Sequence, residues 1–206
     1  MLLPWGETTV LGQVVRTLTD ATTDSLADSR RETDAITDSL AKSRRKTDGR
    51  ADFEILVITG GARELVEAEV ARLAAEGLPV RAVVNPAHEA GEMMSSVRVG
   101  LTASSPDAEF ALIALGDQPQ LSPQSARGVV SAANQAGARL VLPSYQMRRG
   151  HPWLVHRDLW PDLMTAETGR AFLRAHEAEI FYVEADETVL KDLDTPEDYR
   201  GGLKSH

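Results

Sequence analysis

Residues 110–119 read FALIALGDQP, and this stretch decides the fold. Six apolar residues in a row, with no polar alternation, describe a strand buried on both faces. Gly116 lets the backbone turn at its end, Asp117 places a carboxylate there, and Pro119 stiffens the exit. Outward from it the same grammar repeats. EILVIT at 54–59 is a second buried strand, closed by Gly60-Gly61. Residues 62–76 carry Leu65, Val66, Val70 and Leu73 at helical spacing and stop at Gly77. PVRAVV at 79–84 is the next strand and 95–103 the next helix. Residues 122–136 form a helix with Pro123 in its first turn and Gly137 beyond its end. Strands at 139–142 and 180–184 follow, with helical stretches at 157–164 and 167–178 between them, and a helix at 8–18 precedes them all. Apolar strands alternating with amphipathic helices predict an α/β domain with a mostly parallel sheet covered on both faces. Ligands of such sheets bind beyond the carboxyl ends of the strands.

The composition fits one domain. The chain has 206 residues, 42% of them apolar, with no cysteine and a formal net charge of −9. Absence of cysteine excludes disulfides, thiolate metal sites and a cysteine nucleophile. The negative charge argues against a nucleic-acid partner held by phosphate contacts. No apolar run is long enough to span a bilayer. The opening MLLPWG has no signal-peptide character, so the expected location is cytoplasmic. One segment stands apart: TDATTDSLADSRRE at 19–32 and TDAITDSLAKSRRK at 33–46 match at 11 of 14 positions. Scarce apolar residues and balanced charge predict that 19–50 is a polar, duplicated insert, mobile or loosely helical, with few core contacts.

The unusual residues lie where a strand has just ended. Asp117 is either a magnesium ligand, in keeping with that ion's preference for oxygen, or a turn residue capping backbone donors. In DLDTPEDY at 192–199, Thr195, Pro196 and Asp198 read as a helix cap, which leaves Asp194 over for a second carboxylate. Asn85 ends the PVRAVV strand. Ser95 and Ser96, at a helix start, offer hydroxyls, backbone N–H groups and the positive end of a dipole, with Arg98 near enough to grip a phosphate. Arg148, Arg149, Gly150 and His151 suggest an anion pocket or, equally, a surface loop. No histidine spacing suggests a metal site.

Together LLPWG, VVNP, SSVRVGL, LIALGDQP, PSYQMRRGHP and DLDTPEDY resemble, in content and order, the MobA-like NTP transferases of molybdenum-cofactor biosynthesis, and the ending and RGHP resemble the cytidylyl-transferring branch. The resemblance implies a Rossmann-like three-layer α/β/α sandwich of nucleotide-diphospho-sugar transferase type. It implies transfer of a cytidylyl group from CTP, or a nucleotidyl group from another NTP, to the phosphate of molybdopterin, with pyrophosphate leaving. Mg2+ would be held by Asp117 and Asp194. Ser95, Ser96 and Arg98 would help to bind nucleotide or pterin phosphate, with Asn85 close by, Gly116 and Gln118 would be further binding residues, and Gly150 and His151 would line the acceptor side. A molybdoenzyme or its chaperone is the implied protein partner. Members of the family open with an apolar strand and a glycine-rich basic loop before LLPWG. Here LLPWG follows Met1 directly, so the first strand is expected to be missing, EILVIT and FALIAL to lack their shared neighbour, and the chain as written to transfer poorly. Two other readings remain open: a non-catalytic relative that binds pterin or protein partners, and a nucleotidyltransferase of the same fold acting on another phosphorylated substrate.

Overall fold

The computed structural model describes residues 1–36, 53–90 and 93–204. A small hairpin, β1 (Pro4–Trp5) with β2 (Thr8–Thr9), opens the chain and runs into the long helix α1 (Val10–Ile36). Then come β3 (Ile55–Thr59), α2 (Arg63–Ala75), β4 (Val80–Val84), α3 (Met93–Ala103), β5 (Phe110–Ile113) and α4 (Pro123–Ala136). The second half adds β6 (Leu140–Tyr145), β7 (Arg148–Arg149), β8 (Trp153–His156), α5 (Trp160–Thr165), α6 (Gly169–Ala175), β9 (Ile180–Glu184) and α7 (Pro196–Lys204). Ser122 caps α4 by accepting from Ser125 N, Pro123 starts it, and Gly137 ends it in the left-handed conformation, as the residue order predicts.

Beyond the opening hairpin, the strands among the described residues form two separate sheets rather than one. β3 and β4 pair in parallel over their full length. The larger sheet runs β5-β8-β6-β7, with β9 added beside β6. Its pairing is mixed: β6 and β9 are parallel, whereas β8 lies antiparallel between β5 and β6. β7 and β8 come from the RRGHPWLVH stretch, where Pro152 and two arginines hide the strand pattern. Among the described residues no strand pairs with the outer edge of β3 or of β5.

Helices bridge this seam on both faces. On one face, Leu11 and Val15 of α1 pack with Val57, Val66, Val70, Leu73 and Val80. Val14 and Leu18, one step round the same helix, join a cluster against Leu112 and Ala114, and Ile55 touches both clusters. On the other face, α3 sets Gly100 against Ile58, while its Met94 and Leu101 join the cluster that holds Ala111 and Ile113.

The duplicated segment departs from expectation. α1 runs straight through position 19, so the start of that segment is helix and not a loose insert. Ala21 is fully buried, Ser25 bonds Ser131 of α4 at 3.0 Å, and Asp24 pairs with Arg127. The physical reason is periodicity. Leu18, Ala21 and Ser25 continue the inward stripe of Val10–Val14 at spacings of three and four, and small residues let α4 approach closely. The remainder of the segment, 37–50, lies outside the described residues. Ala21→Glu should therefore lower unfolding free energy by about 3 kcal/mol, because it buries an unpaired charge. Thr23→Glu, at an exposed position of the same helix, should change it by less than about 0.5 kcal/mol. Urea unfolding of the two variants compares them, and equal losses would show that this turn of α1 is not packed.

Candidate active site

The crevice is built at the carboxyl end of β5. Gly116 and Asp117 follow that strand, and the chain of residues 192–194 is laid beside them by a backbone bond from Leu193 N to Asp117 O of 3.0 Å. This one bond fixes Asp192 and Asp194 next to Asp117 in space. Burial pushes the Asp117 carboxyl above its ordinary pKa, and the charges of Asp192 and Asp194 push it the same way. A backbone hydrogen bond at Asp117 opposes them. The pocket is thus acidic and partly desolvated.

Its second wall is the turn from β7 into β8. Gly150 N bonds Pro143 O and His151 N bonds Val189 O, each at 3.0 Å, while Trp153 Nε1 bonds Gly150 O at 2.9 Å. A Cβ at position 150 would sit 2.4 Å from Val189 O, so only glycine passes there. The His151 ring stacks on Trp153 with centroids 4.6 Å apart. Burial lowers its pKa to about 4 against the pull of Asp192, so the imidazole is neutral at pH 7. Asp192 acts electrostatically on both Asp117 and His151, which places it between the two walls. Three buried polar atoms here have no partner: Asp117 Oδ1, Gln118 Oε1 and His151 Nε2. Native proteins rarely leave such atoms unpaired unless a ligand or water takes them.

α7 closes this end. Thr195 and Asp198 form the expected capping box, with Thr195 N to Asp198 Oδ2 at 2.8 Å and Asp198 N to Thr195 Oγ1 at 3.2 Å. The helix then grips the opening hairpin through Tyr199 OH to Pro4 O at 2.6 Å. Gly202 lies so close to the Trp5 ring that a Cβ would meet it at 2.5 Å.

The remaining predicted residues lie elsewhere. Asn85, at the carboxyl end of β4, donates to Ser95 Oγ at 2.9 Å and Ser96 Oγ at 3.2 Å and accepts from Ala87 N at 2.9 Å. Its amide is fully engaged in fixing the start of α3 against β4, which leaves it no hydrogen for a phosphate. Arg98 does not reach into the crevice. Its guanidinium donates to Met164 O and Ala166 O, each at 2.7 Å, and so ties α3 to the end of α5. Unpaired carbonyls at a helix C-terminus attract a cation, and Arg98 answers that local demand. Arg149 turns away too, bonding Tyr182 OH at 2.7 Å and Glu177 at 2.9 Å. Asp192 and Thr59 were not singled out in the sequence. Asp192 gave a signal only as the first carboxylate of Asp-Leu-Asp. Thr59 Oγ1, buried and unpartnered at the end of β3, gave none. Among the described residues no group of three or more His, Asp or Glu is arranged to hold a metal ion unaided.

The model of the MobA-like NTP transferase domain matches residues 1–180. This chain belongs to that family. The family is one of nucleotidyltransferases; Asp117, Gly150 and His151 lie within the matched residues, and Asp192 and Asp194 follow them. No curated protein matches the chain. Solved structures share the fold. The Rv0371c homolog from mycobacterium sp. strain JC1 is 26% identical, with a TM-score of 0.64 over 99% of this chain and 86% of that one. Rv0371c from Mycobacterium tuberculosis H37Rv, in complex with manganese, is 24% identical, with a TM-score of 0.63 over 100% and 91%. The 4-diphosphocytidyl-2C-methyl-D-erythritol synthase from Anaerococcus prevotii DSM 20548 is 13% identical, with a TM-score of 0.64 over 98% and 88%. Among the described residues no helix is long and apolar enough to cross a membrane.

The two perturbed groups give opposite pH signatures. A carboxyl whose folded pKa is raised opposes folding once it ionises, so Asp117→Asn should raise the melting temperature at pH 7 without divalent metal. A histidine whose folded pKa is lowered makes the unfolded chain bind more protons between about pH 6.5 and pH 4, so the protein loses stability as pH falls through that window. His151→Gln should flatten that loss, which is worth up to roughly 3 kcal/mol. Thermal melts from pH 8 to pH 4 test both. A parallel pH dependence for wild type and His151→Gln would rule out a buried neutral imidazole.

Proposed function

We propose that this domain transfers a cytidylyl group from CTP to the terminal phosphate of molybdopterin, releasing pyrophosphate. The observation that carries the reading is the acidic crevice itself. Exposed Asp192 and Asp194 lie close enough to half-buried Asp117 to act on its charge, and Asp117 Oδ1 and buried Gln118 Oε1 lack partners. The donor set is oxygen throughout, which fits a hard divalent cation such as Mg2+. Asp117 and Asp194 are the ligands we assign to it, with the rest of its shell left for phosphate oxygens and water. When bound, the ion supplies charge neutralisation to the triphosphate and its leaving group.

The protein's own residues do the positioning. Gly116 leaves room for the Met1 side chain, whose Sδ a Cβ there would meet at 2.6 Å. Gln118, buried at the end of the GDQ turn, offers its amide to a ligand in the crevice. The first turn of α3, with Ser95 and Ser96, directs backbone N–H groups and the positive end of its dipole toward phosphate. Gly150 and His151 form the acceptor wall, where a neutral imidazole can hydrogen-bond a heterocycle without adding charge. In-line transfer between two phosphates needs no covalent nucleophile from the protein; it needs the reactants held and their charge balanced. Arg98 has no part in this scheme.

Pyrophosphate release, measured with molybdopterin and each ribonucleoside triphosphate in turn, should be highest with CTP. Asp117→Asn and Asp194→Asn should each lower kcat/KM by about 10²-fold or more, with melting curves as the check on folding. Unchanged turnover in both variants would remove the two carboxylates from the site. Turnover with a different phosphorylated acceptor but not with molybdopterin would keep the chemistry and replace the substrate.

A further inference from the structure

β9 is the outer strand of the larger sheet. One side of it lies parallel to Leu140–Ser144 of β6, and among the described residues no strand pairs with the other. Two backbone bonds fix which groups stay free. Gly150 N donates to Pro143 O at 3.0 Å, so residue 143 points away from β9, and its neighbours Leu142 and Ser144 point toward it. Ala185 N donates to Ser144 O at 3.0 Å, so residues 181, 183 and 185 face β6. The backbone groups of Ile180, Tyr182 and Glu184 therefore project from the outer edge. Ile180 N is taken by Glu177 O, which leaves Tyr182 N and Glu184 N as the free donors. Natural edges are usually blunted by proline, lysine or a cover. This one reads IFYVE, and Phe181 and Tyr182 are each 43% exposed.

We propose that this edge is the interface between two copies of the chain, paired antiparallel about Tyr182 so that their larger sheets become one. The free groups select that partner. A two-fold axis at Tyr182 sets Tyr182 opposite Tyr182 of the second copy and Ile180 opposite its Glu184. Tyr182 N then meets Tyr182 O, and Glu184 N meets Ile180 O, so each free donor finds an acceptor. A slip of one residue would set these donors against groups already bonded to β6. The side chains agree on both faces. Val183 packs on the α4 side, and Phe181 shares that face, where it lies beside Val183 of the second copy. Ile180, Tyr182 and Glu184 share the other face, and the Arg149 guanidinium rests 5.6 Å from the Tyr182 ring centre. Arg149 spends Nε on Tyr182 and Nη2 on Glu177, which leaves Nη1. Glu184 has no hydrogen bond or ion pair among the described residues. In the dimer, Glu184 of the second copy stands diagonal to Tyr182, within reach of that Nη1. The axis repeats this pairing of a free acid with a half-used arginine, a charge match that the chain finds in its own copy.

The test uses the full chain. Sedimentation equilibrium up to about 100 μM should show the wild type forming a dimer. Phe181→Lys, and Glu184→Arg, which sets like charges against Arg149, should each weaken it by about tenfold or more, with an unchanged circular-dichroism spectrum. Residue-resolved amide exchange should slow by about tenfold at Tyr182 and Glu184 as concentration rises, and stay constant at Phe181 and Val183. A monomeric wild type would leave the edge to water or to a strand of another protein. A dimer indifferent to both substitutions would lie on another face. Concentration-dependent protection at Phe181 and Val183 but not at Tyr182 and Glu184 would contradict the register. Each of these three outcomes overturns the pairing about Tyr182.

Discussion

Side-chain packing across the β3–β5 seam is the constraint on which the rest of the molecule depends. Among the described residues no strand pairing joins the two sheets, and side chains keep them in register. α1 does this with four residues. Leu11 and Val15 face one sheet and Val14 and Leu18 the other, two stripes separated by one step of the helix. Each buried aliphatic side chain of this size contributes about 1.5–3 kcal/mol. α3 repeats the arrangement on the opposite face with Met94, Leu101 and Gly100. Packing of this kind is less directional than a hydrogen-bonded ladder, so the relative position of the two sheets is softer than that of strands within either one.

The crevice inherits this softness. Its acidic wall belongs wholly to the larger sheet: Asp117 follows β5, Gly150 and His151 precede β8, and residues 192–194 are pinned to Asp117 O. The Asn85–Ser95–Ser96 cluster and Thr59 lie across the seam, at the ends of β4 and β3 and the start of α3. Their place relative to the acidic wall is set by α1 and α3. Arg98 adds to the same restraint from outside by tying α3 to α5.

Much of this was legible in the residues. Continuous apolar runs gave β3, β4 and β5, and Ser122, Pro123 and Gly137 marked both ends of α4, because strand burial and helix capping are local rules. Asp117 and Asp194 could be read as a pair only through the family resemblance, since a backbone bond between distant segments has no local signature. β8 was missed because its pattern is short and interrupted by Pro152, and its antiparallel seat between β5 and β6 is a tertiary choice. Arg98 misled for a related reason. An arginine near a helix start suits a phosphate, but whether a neighbouring helix end claims it first depends on where α5 comes to rest. The duplicated segment misled because its polar composition masked Ala21 and Ser25, two small residues whose value lies in letting α4 come close.

What the acidic wall demands follows from the kind of atoms left over. Asp117 Oδ1 and Gln118 Oε1 are acceptors, buried and adjacent, and burial already disfavours the Asp117 charge. Nearby Asp192 and Asp194 worsen the balance in a chain whose net charge is −9. Acceptors without donors, in a field that is already negative, are satisfied by a cation or by a ligand rich in N–H groups, and a bare phosphate would be repelled. An anion can therefore enter this wall only when a cation accompanies it.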